Sequence, residues 1–186
     1  MSAGQPYTER ELISRVKQGD RHAQYTLYRN YVDAMYHTVI RMVNHQADAQ
    51  DIVQDCFIKV FEKIGTYRSD ATLGAWIKRI AINTAINTLR KRQRTLEFAS
   101  DHPPEHGAEE IDDSPARLDP AMIHQAVRAL PTGCRAVVNL YAFEGYSHKE
   151  IAQILDITES TSKTQYKRAK SLLRAALAPN LMQHES

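Results

Sequence analysis

The chain has 186 residues with 24 Lys and Arg against 22 Asp and Glu, a formal net charge of +2, and that length admits one ordinary domain or two small ones. So even a balance excludes a uniformly basic nucleic-acid binder, and any such role must come from where the charge is placed. No apolar run approaches the ~18 residues of a membrane span, and Met1 to Tyr7 lacks the basic and apolar regions of a signal peptide, so a soluble, cytoplasmic protein is expected.

From Thr8 onward the pattern is helical, with no strand required. Thr8 and Glu11 form a capping-box pair that opens a helix to about Lys17, and Gly19-Asp20 supplies a stop and a new cap. The next helix carries Leu27, Tyr31, Met35, Thr38, Val39, Met42 and Val43 at spacings of three and four, and Asn44 to Asp48 is read as its break. A third helix, about Ala47 to Ile64, sets Ile52, Val53, Cys56, Phe57, Val60, Phe61 and Ile64 on one side. Gln50, Asp51, Gln54, Asp55, Lys59 and Glu62 oppose them. A loop from Gly65 to Asp70 precedes a fourth helix, about Thr72 to Arg94, whose buried face is read as Leu73, Trp76, Ile77, Ile80, Ala81 and Thr84.

Between Glu97 and Asp119 three prolines and a concentration of acids replace the large apolar residues, which reads as a flexible acidic linker. The expectation is therefore all-α, with two small helical domains: a bundle over residues 1–95 and a second domain over 119–178, joined by a linker at 96–118 and followed by a tail at 179–186. Asp119-Pro120 opens the second domain with a cap and a first-turn proline. Leu130-Pro131 interrupts that helix, the next ends at Glu144-Gly145, and two more follow at about Ser147 to Leu155 and Thr158 to Leu177. Cys56 and Cys134 both sit in apolar helical patterns, as reduced, buried thiols would.

The last two helices read as a helix-turn-helix. Ser147 and Glu150 make a capping box, Ile151 and Leu155 face the core, Ala152 is small at the crossing, Asp156-Ile157 turns, and Thr158 caps the second helix. That helix presents Ser160, Thr161, Lys163, Thr164, Gln165, Lys167 and Arg168, side chains suited to base edges and phosphates in a major groove. From Thr158 to Leu177 its acid is Glu159, against Lys163, Lys167, Arg168, Lys170 and Arg174. In the fourth helix, Arg79, Asn83, Asn87, Arg90 and Arg94 line one stripe, and Tyr67 in the preceding loop is a candidate for stacking on unpaired bases. Trp76 lies on the apolar stripe, so core packing suits it at least as well as stacking. Enzyme chemistry finds little support: the sequence has no glycine-rich phosphate loop and no Cys/His ligand cluster, the eight His are scattered, and no cofactor is expected.

Together these residues resemble the extracytoplasmic-function group of the sigma-70 family, which keeps regions two and four of the larger sigma factors. Asp48 to Phe61 is similar to region 2.2, the helix that docks on the clamp coiled coil of the polymerase largest subunit. By that resemblance Asp48, Asp51, Gln54, Asp55, Phe57 and Lys59 are expected to contact core RNA polymerase. Trp76 to Asn83 and Ala85 to Arg92 look like regions 2.3 and 2.4, which melt and read the minus-ten element, with the loop from Gly65 to Thr72 as the counterpart of the flipped-base pocket. Tyr67, Arg68, Trp76, Arg79, Asn83, Asn87 and Arg90 would be its contacts.

Leu130-Pro131 with Arg135, then Glu144 to Leu155, resembles region four, whose recognition helix reads the minus-thirty-five element. The family commonly has Gly-Thr-Val-Lys-Ser-Arg there. Here it is Ser160-Thr-Ser-Lys-Thr-Gln165, so Ser162 replaces a packing valine and Gln165 an arginine, while Asp156 stands where glycine is usual in the turn. The resemblance implies promoter DNA and core polymerase as partners, an anti-sigma inhibitor as is usual in the family, and a linker threading toward the RNA exit path. Two rivals are a helix-turn-helix regulator acting without polymerase and a helical adaptor that binds only protein.

Overall fold

Local side-chain bonds cap the start of each α-helix in the first unit. The computed structural model describes residues 7–96 and 120–181, which divide into two compact units between Thr95 and Leu96. All regular elements among the described residues are helical. Apart from Leu96, the expected acidic linker lies outside them, as do residues 182–186 and the side chain of Arg94.

In the first unit, α1 (Glu9–Lys17) opens on a complete capping box: the Glu11 N–H donates to Thr8 Oγ1 at 3.3 Å and the Thr8 N–H to the Glu11 carboxylate at 3.0 Å. These bonds from Thr8 hold the Glu11 carboxyl below its ordinary value. The chain turns at Gly19, φ +80°, and Asp20 caps α2 (Arg21–Val43) by accepting from the His22 and Ala23 N–H groups at 2.9 and 3.2 Å. Asn44 ends α2 in the left-handed conformation, and α3 (Gln46–Lys63) begins two residues later. The break expected over 44–48 is thus shorter, because Asn tolerates the left-handed region and turns the chain at a single position.

The stripe of α3 is buried at Ile52, Val53, Cys56, Phe57 and Val60, with Phe61 only half-buried. Burial pushes the Cys56 thiol up to about 12, so this sulfur is inert; it and the buried Cys134 are both free. A 3₁₀ turn at Ile64–Thr66 leads to α4 (Leu73–Leu96), where Thr72 Oγ1 accepts from the Ala75 N–H at 3.3 Å. Besides Leu73, Ile77, Ala81 and Thr84, α4 buries Ile82, Ala85 and Ile86, while Trp76 and Ile80 are half-buried. A one-face reading misses the additional three because α4 meets two neighbours. A β-carbon on Gly74 would come within 3.1 Å of the Tyr31 ring of α2. From α3, Lys59 Nζ donates to Thr84 Oγ1 at 3.2 Å and Cys56 Sγ lies 4.0 Å from the Ile77 carbonyl.

The second unit comprises α5 (Pro120–Ala129), α6 (Thr132–Val138) running into a π-helical turn at Asn139–Phe143, α7 (His148–Leu155) and α8 (Glu159–Leu181). At the Leu130-Pro131 break, the buried Arg135 guanidinium donates to the carbonyls of Arg128 and Leu130 at 2.8 and 3.1 Å. Carbonyls left open by the end of α5 are thereby satisfied. Val127, Leu130, Cys134, Val138 and Ala169 form the core, with Ile123, Tyr166 and Leu173 packed on it. α8 runs to Leu181, beyond the Leu177 at which the apolar pattern stops, since a terminal turn needs no buried stripe to continue. Among the described residues, no helix is long and apolar enough to cross a membrane.

Candidate nucleic-acid and partner interfaces

On α3, Gln50, Asp51, Gln54, Asp55 and Glu62 are exposed opposite the buried stripe. Helical spacing places Ile58 among them, 56% exposed, a residue that pattern reading passed over. Its signal was available: an isoleucine lying off the apolar stripe. Beside this face a groove of about 630 Å³ runs between α2 and α3, lined by Tyr28, Val32, Asp33, Tyr36, Gln46 and Gln50 among others. Three expected contact residues are placed differently. Phe57 is 3% exposed with its ring 4.8 Å from that of Tyr28, so it holds α3 against α2 and is not a surface contact. Lys59 is half-buried and tied to Thr84. Asp48 is largely covered, with its carboxylate 3.2 Å from His45 Nδ1 at the start of α3.

On α4, Arg79, Asn83 and Asn87 are exposed along one stripe, Arg90 is half-buried, and Arg68 is exposed in the loop before the helix. Tyr67, expected to offer a free ring for stacking, is instead 7% exposed. Its hydroxyl donates to the Ala71 carbonyl at 2.6 Å and its ring lies 5.4 Å from that of Trp76. The loop folds back on itself, so the tyrosine serves as its floor. Lys17 of α1 reaches the same loop, donating to the Tyr67 carbonyl at 3.3 Å, a contact fifty residues apart that no local pattern signals. Trp76, half-buried against Tyr67, is the aromatic group here with exposed surface.

The helix-turn-helix forms from α7 and α8. The Glu150 N–H donates to Ser147 Oγ at 3.3 Å and the Ser147 N–H to the Glu150 carboxylate at 2.8 Å. Asp156 takes the left-handed conformation, φ 57°, in the turn, and the Ile157 N–H donates to the Ala152 carbonyl at 3.0 Å. Thr158 Oγ1 then accepts from the Thr161 N–H at 3.0 Å, opening α8. Ser147→Ala should cost about 1 kcal/mol of unfolding free energy in this unit while Ser147→Asp, which can still cap, stays near wild type. Urea unfolding midpoints measure this; identical midpoints for the Ala and Asp variants would refute the cap's contribution.

Along α8, Ser160, Thr161, Lys163, Thr164 and Lys167 are exposed, and Arg168 is half-buried. Lys163 Nζ sits 2.7 Å from the Glu159 carboxylate, and the Lys163 ammonium holds that carboxyl below its ordinary value. Gln165, expected to read bases, is turned inward: Cys134 Sγ donates to its Oε1 at 2.9 Å, and its amide packs beside Gly133. It therefore braces α8 against α6.

The family model for Sigma-70 region 2 matches residues 27–95, and that for Sigma-70, region 4 matches residues 121–173. The chain is 32% identical to the RNA polymerase sigma-H factor of Pseudomonas aeruginosa over 93% of its own length and 95% of that protein's. It is 29% identical to the ECF RNA polymerase sigma factor SigM of Mycobacterium tuberculosis over 91% and 85%. Among solved structures, its fold is similar to that of the sigma factor RpoE in complex with the anti-sigma factor NepR from Bartonella quintana. That match has TM-score 0.55 and 24% identity and covers 83% of this chain and 96% of that one. It is also similar to CnrH in complex with the cytosolic domain of CnrY, with TM-score 0.53 and 23% identity, covering 92% and 97%. With region 2 on the helices that expose the α3 and α4 faces, and region 4 on the helix-turn-helix, this chain belongs to the extracytoplasmic-function group of the sigma-70 family, the factors that direct RNA polymerase to promoters.

Proposed function

We propose that the chain initiates transcription by dividing three contacts between its two units. The exposed acids of α3, with Gln54 and Ile58 and the adjoining α2–α3 groove, dock on core RNA polymerase. The stripe of Arg79, Asn83 and Asn87, with Arg68 and the Trp76 edge, takes unpaired minus-ten bases. Ser160, Thr161, Lys163, Thr164, Lys167 and Arg168 of α8 read the minus-thirty-five duplex. The observation that carries this reading is the exposure of both polar stripes, one in each sigma-70 region. Residues 96–118 tether the two units, and tethering raises the effective concentration of the second DNA contact once the first is made.

The chain works by binding rather than catalysis, in the cytoplasm where the polymerase acts. A protein inhibitor is a further partner in this proposal, by analogy with the complexes of RpoE with NepR and of CnrH with CnrY. Purified core polymerase plus the chain should produce transcripts with defined start sites that neither gives alone. A helix-turn-helix regulator would instead bind duplex operator without core. In that assay Lys163→Ala with Lys167→Ala should weaken upstream-duplex binding by roughly tenfold and flatten its log–log salt dependence by about 2. An unaltered salt slope would remove these lysines from the phosphate contacts.

A further inference from the structure

The crossing of α7 and α8 carries a polar device that the family resemblance does not supply. His148 stands at the first position of α7, and its Nδ1 shares a hydrogen bond of 2.9 Å with Ser162 Oγ on α8. Ser162 is 0% exposed. The imidazole lies flat on Tyr141 of the π-helical turn, with centroids 4.5 Å apart at 17°, and meets Tyr166 of α8 edge-on at 5.6 Å and 63°. Tyr141 and Tyr166 are themselves 4.6 Å apart. Three rings from three elements thus meet at the imidazole that makes this bond.

The two kinds of contact do different things. Stacked rings tolerate sliding along their faces, whereas a hydrogen bond weakens steeply with misalignment and a buried hydroxyl is costly without a partner. Where the family motif packs a valine, this chain ties α8 to α7 at a set distance. Ser162 is bracketed by Thr161 and Lys163, both exposed on the face proposed to meet DNA. A slide or rotation of α8 at Ser162 would displace every one of those side chains together.

We propose that His148 is a positioning residue for promoter recognition: through Ser162 it sets the angle at which α8 leaves α7, and hence the register of α8 on the upstream duplex. This rests on the reading of α8 as the DNA-reading helix. The test uses holoenzyme assembled from core polymerase and full-length variants, titrated with a labelled duplex bearing the upstream element of a start-site-mapped promoter. Affinity for core is measured in parallel.

His148→Phe keeps a ring in the stack but strands the Ser162 hydroxyl, and should weaken upstream-duplex binding by roughly tenfold with core affinity unchanged. His148→Asn, which offers a polar atom near the Nδ1 position, should stay within about twofold of wild type. Combining His148→Phe with Ser162→Val replaces both partners by apolar groups and should recover most of the loss, giving strong non-additivity. Should His148→Phe alone fail to fold, Ser162→Val and the double variant carry the same comparison. Additive losses, or wild-type affinity for His148→Phe and Ser162→Val alike, would overturn the proposal. The Lys163→Ala/Lys167→Ala variant separates the two levels. If it weakens upstream binding while His148→Phe does not, the positioning role alone is wrong; if it too leaves binding unchanged, the reading of α8 falls and takes the proposal with it.

Discussion

Asp51→Arg combined with Asp55→Arg is expected to lower affinity for core RNA polymerase by about two orders of magnitude, or roughly 3 kcal/mol, without unfolding the chain. Both carboxylates are exposed one turn apart on α3, beside Gln54 and the 56%-exposed Ile58. Reversal removes two attractive contacts and places like charges opposite whatever cations had met them, which is why it exceeds simple neutralisation. Asp51→Asn with Asp55→Asn should therefore fall between wild type and the Arg pair. Because neither residue belongs to the buried stripe, the unfolding free energy should move by no more than about 0.5 kcal/mol. Titration of labelled chain with core at two salt concentrations checks the argument, since the electrostatic part of the loss must shrink as salt rises. Affinity within threefold of wild type for the Arg pair would exclude the acids of α3 from the docking surface.

Leu130→Ala should cost about 2 to 5 kcal/mol, a large share of the stability of so small a unit. Leu130 is 4% exposed in the cluster with Val127, Cys134, Val138 and Ala169, and its carbonyl accepts from the Arg135 guanidinium that closes the α5–α6 break. Loss of its side chain leaves a cavity where α5, α6 and α8 converge. The chain has one tryptophan, Trp76, in the first unit, so its fluorescence follows that unit while far-UV ellipticity follows both. In the variant the ellipticity transition should split, its early part preceding a Trp76 transition that keeps the wild-type midpoint. Binding to core should persist where binding to the upstream duplex has been lost. A Trp76 midpoint that drops with the ellipticity would show instead that the two units melt as one.

Much of the fold was legible because its signals are local. The capping boxes at Thr8 and Ser147, the stop and restart at Gly19-Asp20 and the turn at Asp156 are all made by bonds across five residues or fewer. The α3 stripe likewise follows from a single helical period. The breadth of the α4 buried face was not legible, because it depends on contacts to both α2 and α3. The same distinction separates the site residues. Arg79, Asn83, Asn87, Lys163 and Lys167 are on the surface as their spacing implies. Tyr67 is buried beside Trp76 and Gln165 is half-buried against Cys134, while Phe57 lies in the stripe its spacing assigns it, packed on Tyr28.

The amino-acid sequence by itself determined an all-α chain with a sigma-70 region in each half and a cationic helix in each, because helix caps and apolar periodicity act over one or two turns. Only the tertiary structure decided which polar and aromatic side chains on those helices remain available to a partner. A side chain's exposure is set by groups that the fold brings to it, from up to thirty-one residues away in the case of Gln165, and a one-dimensional pattern does not contain them.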